Sequence, residues 1–460
     1  MSPALHGTPP RASLWTNKTY QSAKPGPPTR RKGTGDAVPR AEIGRWGPRT
    51  TADVVDTGIR MARWVGNTDE RTSMMRVRRT ATIRSPRWPV AVVTAGAALL
   101  AGCSGDDGGA AEPYASPRSD ASVSAPAPAP EASEASAVPV AAPDLLAPET
   151  VATGITTPWG LAFLPDGNAL VSERDTGKVL RVSPGGGRPR EVYQVPGVEA
   201  AGEGGLLGLA VAADHPRTGW VYAYLTAADD NRVVRFKLQG GGRPEVIVDG
   251  IGKNTFHNGG RIAFGPDGML YVGTGDAGDT STSQDADDTN GKILRVTPEG
   301  RPAPGNPKAG SPVWSLGHRN VQGLAWDASG RMFATEFGQN RLDEVNVIKP
   351  GGNYGWPEVE GTGGGSRYVD PIVTWRTSDA SPSGAAVAGD TLYVAALRGQ
   401  RLWAVPTGGG DPKAHFGQRY GRLRTVATAP DGALWLTTSN TDGRGGERDG
   451  DDRILRFPAR

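Results

Sequence analysis

The sequence has a single cysteine, Cys103, among its 460 residues, so no disulfide can form within the chain. An exported form would therefore have to be stable through its hydrophobic core alone. A folding region of about 310 residues can do this, because a chain of that size buries most of its surface. Long periodic apolar runs are also scarce, whereas glycine (66) and proline (39) are abundant. This composition argues against a helical protein and indicates many short strands joined by turns.

The chain also lacks a uniform charge. Residues 1–88 hold 17 basic and 6 acidic side chains, and the remainder holds 34 basic and 42 acidic ones. The part that is predicted to fold is therefore acidic, although the pI of the whole sequence is about 8.9. The high pI is no argument for binding nucleic acid, and we expect no such partner.

Three segments precede the predicted domain. Residues 1–73 are rich in Pro, Gly, Arg and Thr without periodicity, which predicts a disordered or untranslated extension. Residues 74–103 begin with two methionines, continue with arginines and contain the apolar run Val90–Ala101. This pattern is typical of an export signal, and the run is shorter than the roughly 20 residues that span a bilayer. Residues 104–147 are an Ala/Pro/Ser-rich linker.

The end of the signal, Leu99-Leu-Ala-Gly-Cys103, resembles the bacterial lipoprotein signal, in which the cysteine becomes the lipidated first residue. The alternative is a chance run of small residues with an inert cysteine. The resemblance implies an exported protein that lipid on Cys103 anchors to the outer face of the cell membrane.

The stretch 254–276 predicts a β-hairpin. The turn Pro266-Asp267-Gly268 separates two apolar runs: proline presets φ, aspartate caps the turn and glycine takes the positive φ. His257 stands just before the first run, and Asp276 follows the second.

This hairpin pattern recurs six times, and only the third copy has a histidine directly before it. The copies lie at 159–173, 205–224, 260–275, 322–336, 384–395 and 426–437. Most are followed by an alternating segment that we predict to be an outer strand, at 179–182, 233–236, 293–296, 401–405 and 454–457. Such a repeat predicts an all-β, six-bladed β-propeller over residues 148–460. An open sandwich with accidental repeats is the alternative.

A propeller does not define a function, so the loops that lead into the innermost strands must be examined. They carry one histidine and several arginines without a lysine cluster, at 202–207, 257–261, 317–323, 380–384 and 422–424, with Arg398 beyond the fifth hairpin. Converging guanidinium groups favour a ligand with carboxylates beside a base. The alternative is that each arginine pairs with a neighbouring acid.

Six motifs share a family resemblance: Gly-Gly-Leu-Leu-Gly-Leu-Ala at 204–210, His-Asn-Gly-Gly-Arg at 257–261, Gly-His-Arg-Asn-Val-Gln-Gly-Leu-Ala at 317–325, Thr-Glu-Phe-Gly-Gln at 335–339, Asp-Glu-Val-Asn at 343–346 and Gly-Gly-Asn-Tyr-Gly-Trp-Pro at 351–357. Over about 150–458 the chain resembles the soluble sugar dehydrogenases that depend on pyrroloquinoline quinone (PQQ). These are the aldose sugar dehydrogenases and, more distantly, the soluble glucose dehydrogenases. The resemblance implies oxidation of the C1 hydroxyl of an aldose to a lactone, with hydride passing to the quinone. An external acceptor, a quinone or a cytochrome, would then take the electrons.

The resemblance also implies roles for particular residues. His257 matches the general base, and Asp276 matches the acid that orients it. The matches for cofactor binding are Arg319 and Asn320 at the quinone oxygens, and Arg398, Arg422 and Arg424 at the carboxylates. Calcium on the cofactor would be held by the backbone carbonyls of Gly338 and Gln339. A second, structural calcium would be held by Glu344 and the backbone oxygen of Tyr354.

Two positions depart from the family pattern. Glu203 stands where relatives have glutamine against sugar and cofactor, and a carboxylate there would repel an anionic cofactor unless it is protonated or paired. Phe256 stands where the glucose branch has aspartate, so glucose specificity does not follow. Two other functions stay open: a non-redox propeller that binds carbohydrate or a partner, and a lactonase-type hydrolase, which would need several carboxylates around a central metal.

Overall fold

The computed structural model describes residues 142–240 and 242–460. The predicted segments 1–73 and 74–103, Cys103 and most of the predicted linker 104–147 lie outside the described residues. No helix within the described ranges is long and apolar enough to cross a membrane.

The described chain forms six four-stranded antiparallel sheets. The first holds β2 (Pro158–Phe163), β3 (Ala169–Glu173), β4 (Lys178–Val182) and β5 (Arg190–Gln194). The second holds β6 (Leu206–Val211), β7 (Trp220–Thr226), β8 (Asn231–Lys237) and β9 (Glu245–Ile251). The third holds β10 (Ile262–Phe264), β11 (Leu270–Gly273), β12 (Lys292–Val296) and β13 (Val313–Leu316). The fourth holds β14 (Val321–Trp326), β15 (Met332–Glu336), β16 (Leu342–Ile348) and β17 (Val373–Arg376). The fifth holds β18 (Pro382–Ala388), β19 (Thr391–Ala396), β20 (Arg401–Pro406) and β21 (Lys413–His415). The sixth holds β22 (Leu423–Thr428), β23 (Leu434–Thr438), β24 (Ile454–Phe457) and β1 (Glu149–Ala152). Within the described residues, three short helices interrupt the loops: α1 (His215–Thr218) and the 3-10 turns Thr280–Gln284 and Gly365–Arg367.

This arrangement is the predicted six-bladed β-propeller, so the fold class is confirmed. The hairpin that suggested it is present, with β10 paired to β11 and Gly268 at φ +73°. The Gly268 N–H donates to the Gly265 carbonyl at 3.0 Å, and Asp267 Oδ1 accepts from the Met269 N–H at 3.1 Å. The turn thus forms through the residues that predicted it.

The predicted companion strands are present, and each has one further strand outside it. The segments predicted as outer strands are β4, β8, β12, β20 and β24, each of which is the third strand of its sheet. A fourth strand lies outside each of them, such as β5, whose residues are exposed or half-buried. A strand so weakly buried has little apolar pattern, which is why the sequence did not reveal it.

The ring closes because the N-terminal strand joins the last sheet. β1 pairs with β24, and Pro143 forms a bridge with Ala459. The last residues of the predicted linker, 142–147, therefore contact the C-terminal strand region. Because the last sheet contains strands from both ends of the domain, the first and last blades are held together and the ring is closed.

Close packing of the inner strands explains a glycine that recurs in the repeats. A Cβ on Gly208 would lie 2.3 Å from the Gly260 carbonyl oxygen, and one on Gly323 would lie 2.4 Å from the Ser383 carbonyl oxygen. Only glycine permits this backbone approach between neighbouring blades. The six inner strands consequently surround a narrow central channel.

Candidate functional site

A cavity of about 380 Å³ lies at the end of the channel where loops lead into the inner strands. We call it the upper cavity. It is lined by Trp159, Arg174, Glu203, Asn258, Gly259, Gln322, Phe337, Ser381, Leu397, Arg398, Arg422, Arg424, Asp442 and Arg444. Five guanidinium groups thus face two carboxylates, which gives this end of the channel an excess of positive charge.

His257 and Asp276 form a hydrogen-bonded pair beside the upper cavity. His257 Nδ1 lies 2.7 Å from Asp276 Oδ1, and its neighbours Asn258 and Gly259 line the cavity. The loop between β9 and β10 holds His257 at φ +56°, a left-handed conformation that is uncommon for residues other than glycine. The imidazole is mostly buried, with 14 % of its surface exposed.

The Asp276 side chain is fully buried, and its carboxylate accepts several hydrogen bonds. Burial alone would raise its pKa, but the hydrogen bonds from His257, the Gly278 N–H (2.8 Å) and Trp356 Nε1 (2.8 Å) hold the pKa below its usual range. An ionised carboxylate only accepts hydrogen bonds, so His257 Nδ1 must donate the proton. The free nitrogen of a neutral His257 is therefore Nε2, which is the basic one.

Glu203 is paired with an arginine from another blade. Its Oε1 accepts from Arg444 Nη1 at 2.8 Å, and its Oε2 accepts from the His257 N–H at 3.0 Å. Burial alone would raise the pKa of Glu203, but Arg444 and the His257 amide more than offset this and lower it. The carboxylate that departs from the family pattern is therefore compensated, and it also contacts the backbone of His257.

Two predicted arginines share one acid at the cavity wall. Arg422 Nε and Nη2 lie 2.9 and 2.8 Å from Asp442 Oδ2, whereas Arg424 Nη2 is 3.9 Å from the same oxygen. Arg424 Nε has no hydrogen-bond partner within the described residues. Burial lowers the pKa of Arg424 to about 9, and the charges of Arg422 and Arg174 oppose the effect of Asp442. Negative charge is therefore in deficit around Arg424.

Arg398 is exposed and forms no ion pair among residues 142–240 and 242–460. It differs from Arg174, which is also in the wall but lies 2.6 Å from Asp175. The alternative that each arginine pairs with a neighbouring acid thus holds for Arg174 and Arg422 but not for Arg398.

Arg319 and Asn320 lie next to the upper cavity. Arg319 donates to the Phe337 carbonyl at 3.0 Å and to Gln339 Oε1 at 2.9 Å, and its guanidinium lies over the Trp356 ring at 5.4 Å. Burial lowers the pKa of Arg319. Asn320 Oδ1 accepts from the Gly259 N–H at 3.0 Å, while its Nδ2 has no partner in the described part of the chain. These contacts connect the fourth blade to the His257 loop.

The predicted calcium residues lie on and near the loop between β15 and β16. The backbone carbonyls of Gly338 and Gln339 accept no hydrogen bond from the described chain, so both keep free oxygens. Within the same residues no group of three or more His, Cys, Asp or Glu side chains is arranged to hold a metal.

A small pocket of about 10 Å³ lies behind this loop and is bordered by Glu336, Glu344 and Tyr354. Glu336 and Glu344 are directly paired across β15 and β16. Burial and the neighbouring carboxylate raise the pKa of Glu344 to about 8, and burial raises that of Glu336 to about 7. Two such carboxyl groups side by side favour either a shared proton or a cation.

His318 is buried and is not a reactive group. Its ring stacks on Tyr354 with centroids 4.7 Å apart, and its nitrogens lie near Ser315 Oγ (2.8 Å) and Glu336 Oε2 (3.3 Å). Burial lowers its pKa to about 3. His318 therefore stays neutral and packs against Tyr354.

The structure brings most of the predicted residues to one end of the channel. Glu203, Arg398, Arg422 and Arg424 line the upper cavity, whereas His257, Asp276, Arg319 and Asn320 adjoin it, and Gly338, Gln339, Glu344 and Tyr354 lie further out on the fourth blade. No sequence pattern assigned a role to Arg444, Trp356 or Glu336. The glycine-rich stretch 441–446 before β24 was the available signal for Arg444, because such loops lead into the channel end.

Fold and site together define a β-propeller protein with an arginine-lined ligand cavity beside a histidine–aspartate pair. The family model "Glucose / Sorbosone dehydrogenase" matches residues 155–455. The chain therefore belongs to the glucose/sorbosone dehydrogenase family, and the family resemblance is confirmed.

Individual relatives agree with this assignment. The structure of the PQQ-bound form of an aldose sugar dehydrogenase from Streptomyces coelicolor is 56% identical, with a TM-score of 0.66, and covers 67% of this chain and 96% of that one. The aldose sugar dehydrogenase of Escherichia coli is 29% identical over 66% of this chain and 92% of its own. Quinoprotein glucose dehydrogenase B of Acinetobacter calcoaceticus is 31% identical over 48% of this chain. That match spans about half (54%) of the relative's length.

Proposed function

We propose that this protein oxidises the C1 hydroxyl of aldose sugars to lactones, with PQQ in the upper cavity and His257 as the general base. The observation that carries the proposal is the pair of His257 and Asp276 beside a cavity with five guanidinium groups. The relatives described as quinoprotein or PQQ-bound sugar dehydrogenases support it.

The upper cavity fits PQQ in charge and size. PQQ carries three carboxylates and an ortho-quinone, and the wall offers five arginines against two acids. A volume of about 380 Å³ lies in the range of small-molecule sites. Burial lowers the pKa of Arg424, and a bound carboxylate would offset the cost of burying this guanidinium. We assign the carboxylates to Arg398, Arg422 and Arg424, and the quinone oxygens to Arg319 and Asn320.

Calcium fits the adjoining oxygen atoms. The free carbonyls of Gly338 and Gln339 are the hard ligands that calcium prefers. Glu344, its neighbour Glu336 and the Tyr354 carbonyl would hold a second ion in the small pocket. When bound, PQQ would supply the hydride acceptor, and calcium would supply a Lewis acid at its quinone.

The role of His257 follows from its tautomer. With Nδ1 donating to Asp276, Nε2 is free to accept the proton of the sugar C1 hydroxyl. The buried, ionised Asp276 stabilises the imidazolium that results and fixes the plane of the ring. Glu203 holds the backbone of His257 through the 3.0 Å amide contact. The chain itself thus binds, orients and deprotonates the sugar.

The two other functions have less support. The non-redox binding propeller was suggested by Glu203, but this carboxylate is paired with Arg444. A lactonase-type hydrolase needs several carboxylates around a central metal, whereas the wall of the upper cavity has more arginines than acids.

Reconstitution tests the proposal. Residues 104–460 would be purified, supplied with PQQ and calcium, and assayed for dye reduction with a panel of aldoses. We expect a spectral change on adding PQQ and turnover with at least one aldose. Binding without turnover would favour the binding propeller, and neither binding nor turnover would overturn the proposal. The panel is necessary because Phe256 lies 4.7 Å from His257 between ring centroids, where an apolar ring shapes sugar specificity.

We also propose, from the sequence, that the protein is exported and lipid-anchored through Cys103, with a membrane quinone or a cytochrome as electron acceptor. The test is fractionation of cells that express the full chain or its Cys103→Ser variant. The unchanged chain should sediment with membranes and the variant should not. Equal distribution of the two would contradict the anchor.

A further inference from the structure

A second cavity of about 340 Å³ occupies the other end of the channel, and we call it the lower cavity. Its wall consists of segments of all six inner strands, and Arg261 is its one charged residue. Half-buried side chains such as Phe264 and Trp326 surround its end, which leaves it accessible from solvent.

Arg261 forms part of the partition between the two cavities. Its Nε donates to the Gln322 carbonyl at 2.7 Å, and its Nη2 donates to Thr425 Oγ1 at 3.1 Å. The guanidinium lies over the Trp159 ring at 4.3 Å, and Arg424 contacts the same ring at 5.6 Å. Arg261 lines the lower cavity, whereas Trp159 and Arg424 line the upper one.

Arg261 is a buried cation without a counter-ion in the described chain. It is 7% exposed, and no carboxylate within residues 142–240 and 242–460 lies in ion-pair distance of it. Burial lowers its pKa to about 9, and the charge of Arg424 adds to this effect. A buried, unpaired charge is costly, so a cation in this position favours an anion that reaches it.

The lower cavity also offers neutral donors. Each inner strand is the first strand of its sheet and has a hydrogen-bonded neighbour on one side only. N–H groups on this free edge that do not bond to a neighbouring blade, as the Gly208 N–H does to the Gly260 carbonyl, can therefore point towards the channel axis. One guanidinium together with separate backbone N–H groups is suited to a small anion with a single charge. The several arginines of the upper cavity are suited to an anion with several charges.

From this arrangement we infer that the lower cavity is a binding site for a small monovalent anion, such as a halide, held by Arg261. The inference does not depend on the proposed function, because it concerns the opposite end of the channel. Bound anion would compensate the charge that Arg261 and Arg424 place around Trp159. It would therefore stabilise the folded protein without entering the upper cavity.

Bromide is the probe. In thermal unfolding of residues 104–460, bromide should raise Tm with saturation, with half-saturation on the order of 10 mM and a gain of about 2–4 °C at a tenfold higher concentration. Crystals soaked in bromide should show an anomalous peak in the lower cavity, within hydrogen-bonding distance of the Arg261 guanidinium.

Variants at Arg261 provide the comparison. Arg261→Gln should abolish both the saturable increase and the peak, and Arg261→Lys should retain a weaker version of each. Arg331→Gln, which removes an exposed arginine, should behave like the unchanged protein and report any general salt effect. A saturable increase that survives in Arg261→Gln would overturn the inference. So would bromide-soaked crystals of the unchanged protein without a peak in the lower cavity, and this outcome does not depend on any variant folding.

Discussion

The two ends of the central channel differ in which parts of the chain build them. The upper cavity is formed mainly by loops and carries five arginines and two acids. The lower cavity is formed by inner-strand segments and carries a single charge, Arg261. Both have nearly the same volume, about 380 and 340 Å³. The difference between them is therefore chemical rather than spatial.

This contrast follows from the repeat. Inner strands must pack against their neighbours, so they repeat small and apolar residues, as the glycine contacts of Gly208 and Gly323 illustrate. Loops at the upper end carry no such constraint and can each supply a different polar side chain. The strands thus determine that there is a channel, and the loops determine what it binds.

The largest effect should come from removing the base at the upper end. We expect His257→Ala to lower kcat by about 10²- to 10⁴-fold, because a positioned base contributes that much. PQQ binding should be retained, since no cofactor-holding role is assigned to the imidazole. Stopped-flow dye reduction measures kcat, and a spectral titration measures cofactor binding. His215→Ala, at a histidine in α1 outside both cavities, is the matched control, and retained turnover in His257→Ala would remove the base assignment.

The second prediction compares one arginine from each end. Arg424→Gln should weaken PQQ binding by about 30- to 5,000-fold, because losing one member of a buried charge pair costs about 2–5 kcal/mol. Arg261→Gln should weaken it by less than about fivefold, since Arg261 lines the other cavity. Quenching of tryptophan fluorescence, with Trp159 in the upper wall, is a suitable measurement. Equal losses in the two variants would mean that the channel is one electrostatic site and that the comparison fails.

The fold could be predicted because its signals are local. The Pro266-Asp267-Gly268 turn and its copies specify hairpins by the φ preferences of three adjacent residues. Six hairpins of one type leave few architectures other than a propeller. An outermost strand such as β5 could not be located, because its exposed and half-buried residues leave no alternation to detect.

The site could be predicted only where its residues lie close in sequence or in a family motif. His257 and Asp276 flank one hairpin, so their contact follows from that hairpin. The Trp356–Asp276 bond joins residues 80 apart, and the Arg444–Glu203 pair joins residues 241 apart. These side chains meet only because the blades close into a ring, and no local sequence pattern predicts such a contact.

Calcium removal should produce a smaller, pH-dependent effect on the fourth blade. Glu336 and Glu344 have pKa values raised to about 7 and about 8, above the value of about 4.3 in an unfolded chain. Such groups stabilise the fold in acid, and this contribution is lost as the pH rises through 7 and 8. Calcium should offset the loss, so it should raise Tm by about 3–5 °C at pH 8 and by much less at pH 5.5.

The measurement is Tm with calcium and with a chelator at both pH values. Glu344→Gln should reduce the response to calcium at pH 8, while Glu299→Gln, at an exposed side chain, should leave it unchanged. A calcium response of equal size at the two pH values would contradict the assignment of these carboxylates.

The smallest expected effect concerns the ion pair between Glu203 and Arg444, which compensates the upper cavity's unusual acid. Arg444 is 56% exposed as a side chain, so the pair should contribute only about 0.2–1 kcal/mol. Arg444→Gln would leave Glu203 unpaired beside the cofactor's carboxylates, and we expect PQQ binding to weaken by about two- to fivefold at low salt. Glu203→Gln in addition should restore the affinity, because the repelling charge is gone while an amide oxygen can still accept from the His257 N–H. A double-mutant cycle of PQQ affinities measures this coupling. If the two substitutions were simply additive, the carboxylate would be tolerated for another reason, and Arg444 would act on the cofactor directly rather than through Glu203.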